Sequence, residues 1–333
     1  MFRRVELLGG PVDIVSRDEV LTFIAGAVAG GRKAIVGNQN LHSLALSRKD
    51  RRLRTFFRMA DLIEIDSMPL VQWGKLLGLQ LNNQHRSTYL DWRDAFWRAA
   101  DDHGWRVFLL GATEDANAEA ARRLAAEWPG ITLAGHHGYF DKTAGGSENV
   151  AVVAKINAFR PDVLLVAMGM PLQETWIAEN VSSLTSGVML SIGAAFDFEA
   201  GFQSPPPRIY GELCLEWLYR LVHEPRRLFR RYLIEPWGLI APALADLARG
   251  SLLAPGATQP PGRAVGASPL RSGLHEEWAP FPRLAAENGR DQDRDQAIEG
   301  QGRPGDQPER PNRDKLHAGA YSRHVSPTPA SAA

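Results

Sequence analysis

A carboxylate, two amides, a proline-flanked polar pair and a run of arginines are the parts of this chain equipped for chemistry. Asp66 follows the apolar stretch LIEI and precedes Ser-Met-Pro. A carboxylate there can take a proton from an attacking hydroxyl within hydrogen-bond reach, or it can cap the helix that follows. Asn38 and Asn40 close a second apolar stretch, KAIVGNQN, where they face a ligand or simply make a turn. In GMGMPLQETW, Gly169 would let a phosphate approach the backbone and Gln173 would hydrogen-bond a sugar or diphosphate. Glu174 reads equally as a first-turn acid suited to the helix dipole. LLGATEDAN offers the same choice after Gly111, but lacks the full Gly-x-Gly-x-x-Gly signature, which disfavours a nicotinamide cofactor. Arg86 in QHRSTYLDW binds phosphate or sits on the surface. His136 and His137 lack metal-ligand spacing with any partner, and the Asp-x-Asp patterns at Asp291 to Asp295 fall in a polar tail. No metal and no other cofactor is expected.

These residues need a scaffold that gathers them. Ser16-Arg17-Asp18-Glu19 fits a capping box that opens the first helix, and Val20, Phe23, Ile24, Ala27 and Val28 keep helical spacing to Gly30-Gly31. The strand KAIVGNQN follows, then a helical stretch from His42 to Met59 and a strand from Leu62 to Ile65. Further apolar strands stop at Gly111, in ITLAGHHGYF, at Gly169 and at Gly193. Pro171 suits the first turn of a helix. Wholly apolar strands separated by amphipathic helices indicate a doubly wound α/β fold with a mostly parallel, Rossmann-like sheet. In such sheets ligands bind outside the carboxyl ends of the strands, where Asn38, Asn40, Asp66, Gly111, Gly169 and Gly193 all stand.

The composition changes after Phe198. We read residues 1–203 as the α/β core and 204–250 as a helical, Arg-rich appendage. Its Leu215, Trp217, Leu218, Leu221, Leu228, Phe229 and Leu233 interleave with Arg220, Arg226, Arg227, Arg230 and Arg231. That segment can dock on a membrane surface, reach a diphosphate, or pack as an ordinary helix pair. Residues 251–333, rich in Pro, Gly, Ser and charge, read as a disordered tail. Over 333 residues, 38 basic and 38 acidic side chains balance, which argues against a nucleic-acid partner. The single cysteine, Cys214, fits a reducing compartment. Asp13 and Arg17 interrupt the only candidate leader, and no apolar run of about 18 residues spans a membrane. A cytoplasmic protein is expected, peripheral if something holds it at a surface.

In order and spacing, IEIDSMPLVQWGKLLG, WRVFLLGATEDAN, HHGYFD, RPDVLLVAMGMPLQETWI, GAAFDFEAG and LEWLYRLVHEPRRLFRRYL resemble the WecG/TagA/CpsF glycosyltransferases over roughly Val5 to Arg249. NQNLHSL and HRSTYLDW are most similar to the exopolysaccharide branch, which includes xanthan-type GumM β-glucosyltransferases. The resemblance implies an inverting, metal-independent transfer from a UDP-sugar donor to a polyprenyl-diphosphate-linked sugar acceptor at the inner face of the cytoplasmic membrane. It implies Asp66 as the base, Asn40 and Gln173 as polar pocket residues and Arg86 as an arginine the family keeps. Arg220, Arg227 and Arg230 match an appendage that closes over the site and binds the diphosphate. Asn38 stands where many members carry Thr. A catalytically silent scaffold of a polysaccharide assembly complex is the alternative. Oligomeric state is left open, a homo-oligomer included.

Overall fold

The computed structural model describes residues 2–204, 216–223 and 225–249. The chain opens with an antiparallel hairpin, β1 (Arg3–Leu7) and β2 (Gly10–Ile14), ahead of the helix expected from the sequence as the first element. Its two-residue turn puts Leu8 and Gly9 at φ 51° and 78°, the backbone twist that two-residue hairpins favour. The capping box at Ser16 forms, and α1 (Arg17–Ala29) ends at Gly30.

Six parallel strands follow: β3 (Ala34–Gln39), β4 (Leu62–Ile65), β5 (Arg106–Gly111), β6 (Thr132–His136), β7 (Val163–Ala167) and β8 (Val188–Ser191). Their order across the sheet is β4-β3-β8-β7-β5-β6. The intervening helices are α2 (Leu41–Ser47), α3 (Arg51–Met59), α4 (Met68–Leu76), α5 (Tyr89–Asp102), α6 (Glu114–Glu127), α7 (Ser147–Phe159), α8 (Leu172–Asn180) and α9 (Ala195–Glu199). The single helical stretch expected from His42 to Met59 is two helices, because Asp50 turns its carboxylate onto the amides of Arg52 and Leu53 and caps a new start. Pro171 takes the N-cap position of α8 rather than its first turn.

Alternating strand residues feed two cores, as a doubly wound sheet requires. Val107, Leu109, Val163 and Leu165 meet α1, α5, α6 and α9 through Ile24, Trp92, Phe96, Leu124 and Phe196. Phe108, Leu110, Leu164 and Val166 meet α3, α7 and α8 through Phe56, Ile156 and Trp176. A third cluster joins the hairpin to α4 and to Leu239.

The edge strand β4 is closed off on its open side, which an unpaired strand requires. Asp13 of the hairpin, 1% exposed, is held by Arg4 at 2.7 and 2.8 Å and accepts the Ile63 amide at 2.8 Å. Farther along, Arg86 bridges Ile65, and the Ser87 amide donates to the Ile65 carbonyl at 2.9 Å.

The appendage contains α10 (Glu216–His223), α11 (Pro225–Phe229), a wide helical turn at Arg230–Ile234, a tight one at Glu235–Leu239, and α12 (Ile240–Arg249). Asp246, 2% exposed, anchors α12 by accepting the Leu8 amide at 2.7 Å and the Trp73 indole N–H at 3.0 Å. Cys214 and the tail at 251–333 lie outside the described residues.

Candidate active site

The carboxyl ends of the parallel strands gather what the sequence scatters. Asp66 leaves the end of β4 half-buried, its amide donating to the Gln39 carbonyl of β3 at 2.8 Å. It is not a helix cap: Ser67 occupies the N-cap position of α4. The helix-capping role open to Asp66 in the sequence is therefore not taken up, and its carboxylate receives the Asn40 side-chain amide at 3.1 Å.

Asn40 performs two jobs because its amide has two ends. Its Oδ1 accepts the Ser43 amide at 3.0 Å and starts α2, while Ser43 Oγ accepts the Asn40 amide at 2.8 Å. The cap fixes the side chain, so Nδ2 can aim at Asp66. Ser43 also donates to Gln39 Oε1 at 2.5 Å. Asn38 is half-buried, and its Nδ2 donates to the Ser191 carbonyl at 2.9 Å, tying β3 to β8.

Gln173 is 1% exposed and shapes the turns after β7 and β8. Its Oε1 accepts the Gly169 amide at 3.2 Å and the Gly193 amide at 3.1 Å, while its Nε2 donates to Glu174 at 2.7 Å. Gly169 has φ +77° with open space where a Cβ would stand, so a ligand can approach that turn closely. At Gly111 the need is different: φ is +142°, and a Cβ would lie 2.2 Å from the Ala167 carbonyl oxygen. The connections after β5 and β7 run toward opposite edges of the sheet, so Gly111 and Gly169 flank a topological switch point. The buried Asn117 amide reaches the carbonyls of Leu109, Gly111 and His136 and holds that side of the rim together.

Two carboxyls are buried, Glu174, singled out above, and Glu64, which the pattern of charges along the sequence does not single out. Glu174 is fully buried, which pushes its pKa up to about 7. Glu64, in the middle of β4, is 2% exposed, and burial pushes it up to about 8. The Trp92 indole N–H donates to it at 3.3 Å. A glutamate at the third position of LIEI, in an otherwise apolar strand, was the available signal.

Arg86 stands beside the end of β4, with its guanidinium 3.9 Å from Asp91. His42, on the first turn of α2, contacts Glu235 of the appendage at 2.5 Å. Burial and then Arg231 lower the His42 pKa, against the opposing pull of Glu235. Of the predicted appendage arginines, Arg230 is exposed. The side chains of Arg220 and Arg227 lie outside the described residues, although their backbones belong to α10 and α11. Among the described residues, no group of three or more His, Cys, Asp or Glu side chains could hold a metal ion, and no helix is long and apolar enough to cross a membrane.

Residues 5–251 match the family described as Glycosyl transferase WecG/TagA/CpsF family. Among similar proteins are the N-acetylglucosaminyldiphosphoundecaprenol N-acetyl-beta-D-mannosaminyltransferases of Staphylococcus aureus strains MRSA252 and MW2. Each is 29% identical over 231 residues, spanning 68% of this chain and 87% of the relative.

Proposed function

The chain belongs to the WecG/TagA/CpsF glycosyltransferase family, and from that premise we propose that it moves a sugar from a UDP-sugar to a polyprenyl-diphosphate-linked sugar. The donor sugar is of the glucose or N-acetylmannosamine type, and the product serves exopolysaccharide synthesis. The observation that carries the mechanism is the Asp66 carboxylate, held at the strand-end rim by Asn40.

Asp66 takes the proton of the acceptor hydroxyl as its oxygen attacks the anomeric carbon. The new C–O bond forms on the face opposite UDP while the bond to UDP breaks. The anomeric centre inverts, and an α-linked donor gives a β-linkage. Asp66 and Gly169 lie three strand spacings apart, roughly 14 Å at about 4.8 Å per strand. That separation suits a ligand whose sugar and diphosphate are distinct parts. The reaction needs no metal: the charge gathering on departing UDP is met by backbone N–H groups and by arginines, for which Arg86, Arg220, Arg227 and Arg230 are the candidates.

Membrane docking gains support from the appendage. Trp217, Leu218, Val222, Phe229, Leu233 and Trp237 are exposed beside exposed Arg226 and Arg230, the mixture that binds an anionic lipid surface. We place the protein on the inner face of the cytoplasmic membrane.

The test is UDP release from UDP-glucose and UDP-N-acetylmannosamine with synthetic polyprenyl-diphosphate acceptors bearing glucose or N-acetylglucosamine. Turnover with one pair supports the assignment. No turnover with any pair, while the protein still floats with anionic vesicles, points to a silent scaffold instead.

A further inference from the structure

Two residues before the candidate base, on the same face of β4 because side chains alternate along a strand, stands Glu64. From α5 come the Trp92 indole, donating at 3.3 Å, and the Asp91 carboxylate. The Ser87 hydroxyl stands beside it, and Asp66 acts on it from the end of β4. Across the ladder its register partner is Asn38, whose Nδ2 donates to the Ser191 carbonyl. The nearby cations reach Asp91: Arg17 at 3.3 Å and Arg86 at 3.9 Å. Among the described residues no cation pairs with Glu64.

A charge sealed from water is costly to keep even with the Ser87 hydroxyl and the Trp92 indole as donors, since two like charges also face it, and holding a proton removes that cost. Burial, ahead of the neighbouring carboxylates, pushes the Glu64 pKa up to about 8, so the neutral acid predominates at pH 7. The consequence for chemistry follows from its place. Were Glu64 ionised, a second fixed negative charge would stand behind Asp66, opposing any anionic ligand at the rim. It would also favour the protonated form of Asp66, which cannot act as a base.

We propose that Glu64 is a positioning residue of the transfer reaction: uncharged, it keeps the Asp66 end of the sheet open to a diphosphate-bearing donor, and its ionisation shuts that donor out. The proposal rests on the glycosyltransferase reading above. It differs from a merely structural role, in which Glu64 fills space under Trp92 and its replacement acts equally at every pH.

The experiment follows two readouts against pH, kcat/KM for transfer and the affinity for UDP by calorimetry, in wild type and Glu64→Gln. Wild type should lose about tenfold per pH unit in both above about pH 8, the slope of a single ionisation. Glu64→Gln cannot ionise; it should stay within about threefold of wild type at neutral pH and lose the alkaline limb. A variant that keeps the limb, or a wild type without one, overturns the proposal. If Glu64→Gln does not fold, a carbon-13 titration of the wild-type Glu64 carboxyl decides, and a midpoint in the ordinary glutamate range of about 4 to 5 refutes it. Should no UDP-sugar be turned over, the transferase assignment fails by itself, and the UDP titration still decides whether ionised Glu64 excludes a diphosphate.

Discussion

Replacing Asp246 by alanine should release the appendage from the core. One buried oxygen, Asp246 Oδ2, accepts both the Leu8 amide at 2.7 Å and the Trp73 indole N–H at 3.0 Å. Without it both donors lose their acceptor, the Leu8 amide in a buried place and the Trp73 indole in a half-buried one. An orphaned buried donor costs about 1–3 kcal/mol and a half-buried one less, so the pair amounts to roughly 2–4 kcal/mol. The Arg249 contact to the other oxygen, at 3.2 Å, adds little because Arg249 is 48% exposed. Leu8 adds a reason for the contact to exist, since a branched residue at φ 51° needs its surroundings to hold it there. Urea unfolding should show a stability loss of about 3 kcal/mol, within the range set by two orphaned donors. Limited proteolysis should cut between residues 225 and 249 before it cuts the sheet. In a Trp73→Phe background the Asp246→Ala loss should shrink, since one donor is already gone. A loss below about 0.5 kcal/mol with an unchanged cleavage pattern would refute the anchoring role.

Asn40→Ala removes both the α2 cap and the Asp66 contact, so stability should fall by about 1 kcal/mol and transfer should fall with it. Asn40→Asp keeps a capping oxygen but sets a carboxylate against Asp66 where an amide donated, so both chemical denaturation at pH 7 and the transfer assay should find it impaired. Gly111→Ala puts a methyl group 2.2 Å from the Ala167 carbonyl oxygen, and thermal melting should report a loss of about 3 kcal/mol or more. Glu174 titrates near 4.5 when unfolded and about 7 when folded, so its contribution is complete below pH 4.5 and is lost as pH rises to 7. Glu174→Gln, compared with wild type, should gain up to about 3 kcal/mol between pH 5 and pH 8; equal pH dependence of the two melts would contradict it.

The parallel sheet was legible because its strands are mostly apolar and several run out at or just before a glycine, an asparagine or Asp66. Those signals are local and survive without knowledge of the fold. The hairpin was not, since its turn is Leu8-Gly9 rather than a pair of turn-forming residues. Leucine reaches positive φ there with help from Asp246, over two hundred positions away in the sequence. Asp13 is a similar case: in sequence it merely interrupts an apolar stretch, yet folded it caps the edge of β4. At the site, Asp66 and Asn40 were visible as strand-end residues, but the bond between them depends on strands β3 and β4 pairing in register. Glu64 escaped notice because a glutamate counts as a charge until burial is known. The His42–Glu235 contact joins segments whose proximity no periodicity reveals.

The central claim is that Asp66 accepts the proton of the attacking hydroxyl. Asp66→Asn keeps the shape and an acceptor for Asn40 while abolishing basicity, so the most direct measurement compares its transfer rate and UDP affinity with those of wild type at pH 7.5. Asp66→Asn should lower kcat by about 10²–10⁴-fold while UDP affinity holds or rises, since a negative charge has left the rim. A variant that transfers sugar within about threefold of the wild-type rate would contradict it.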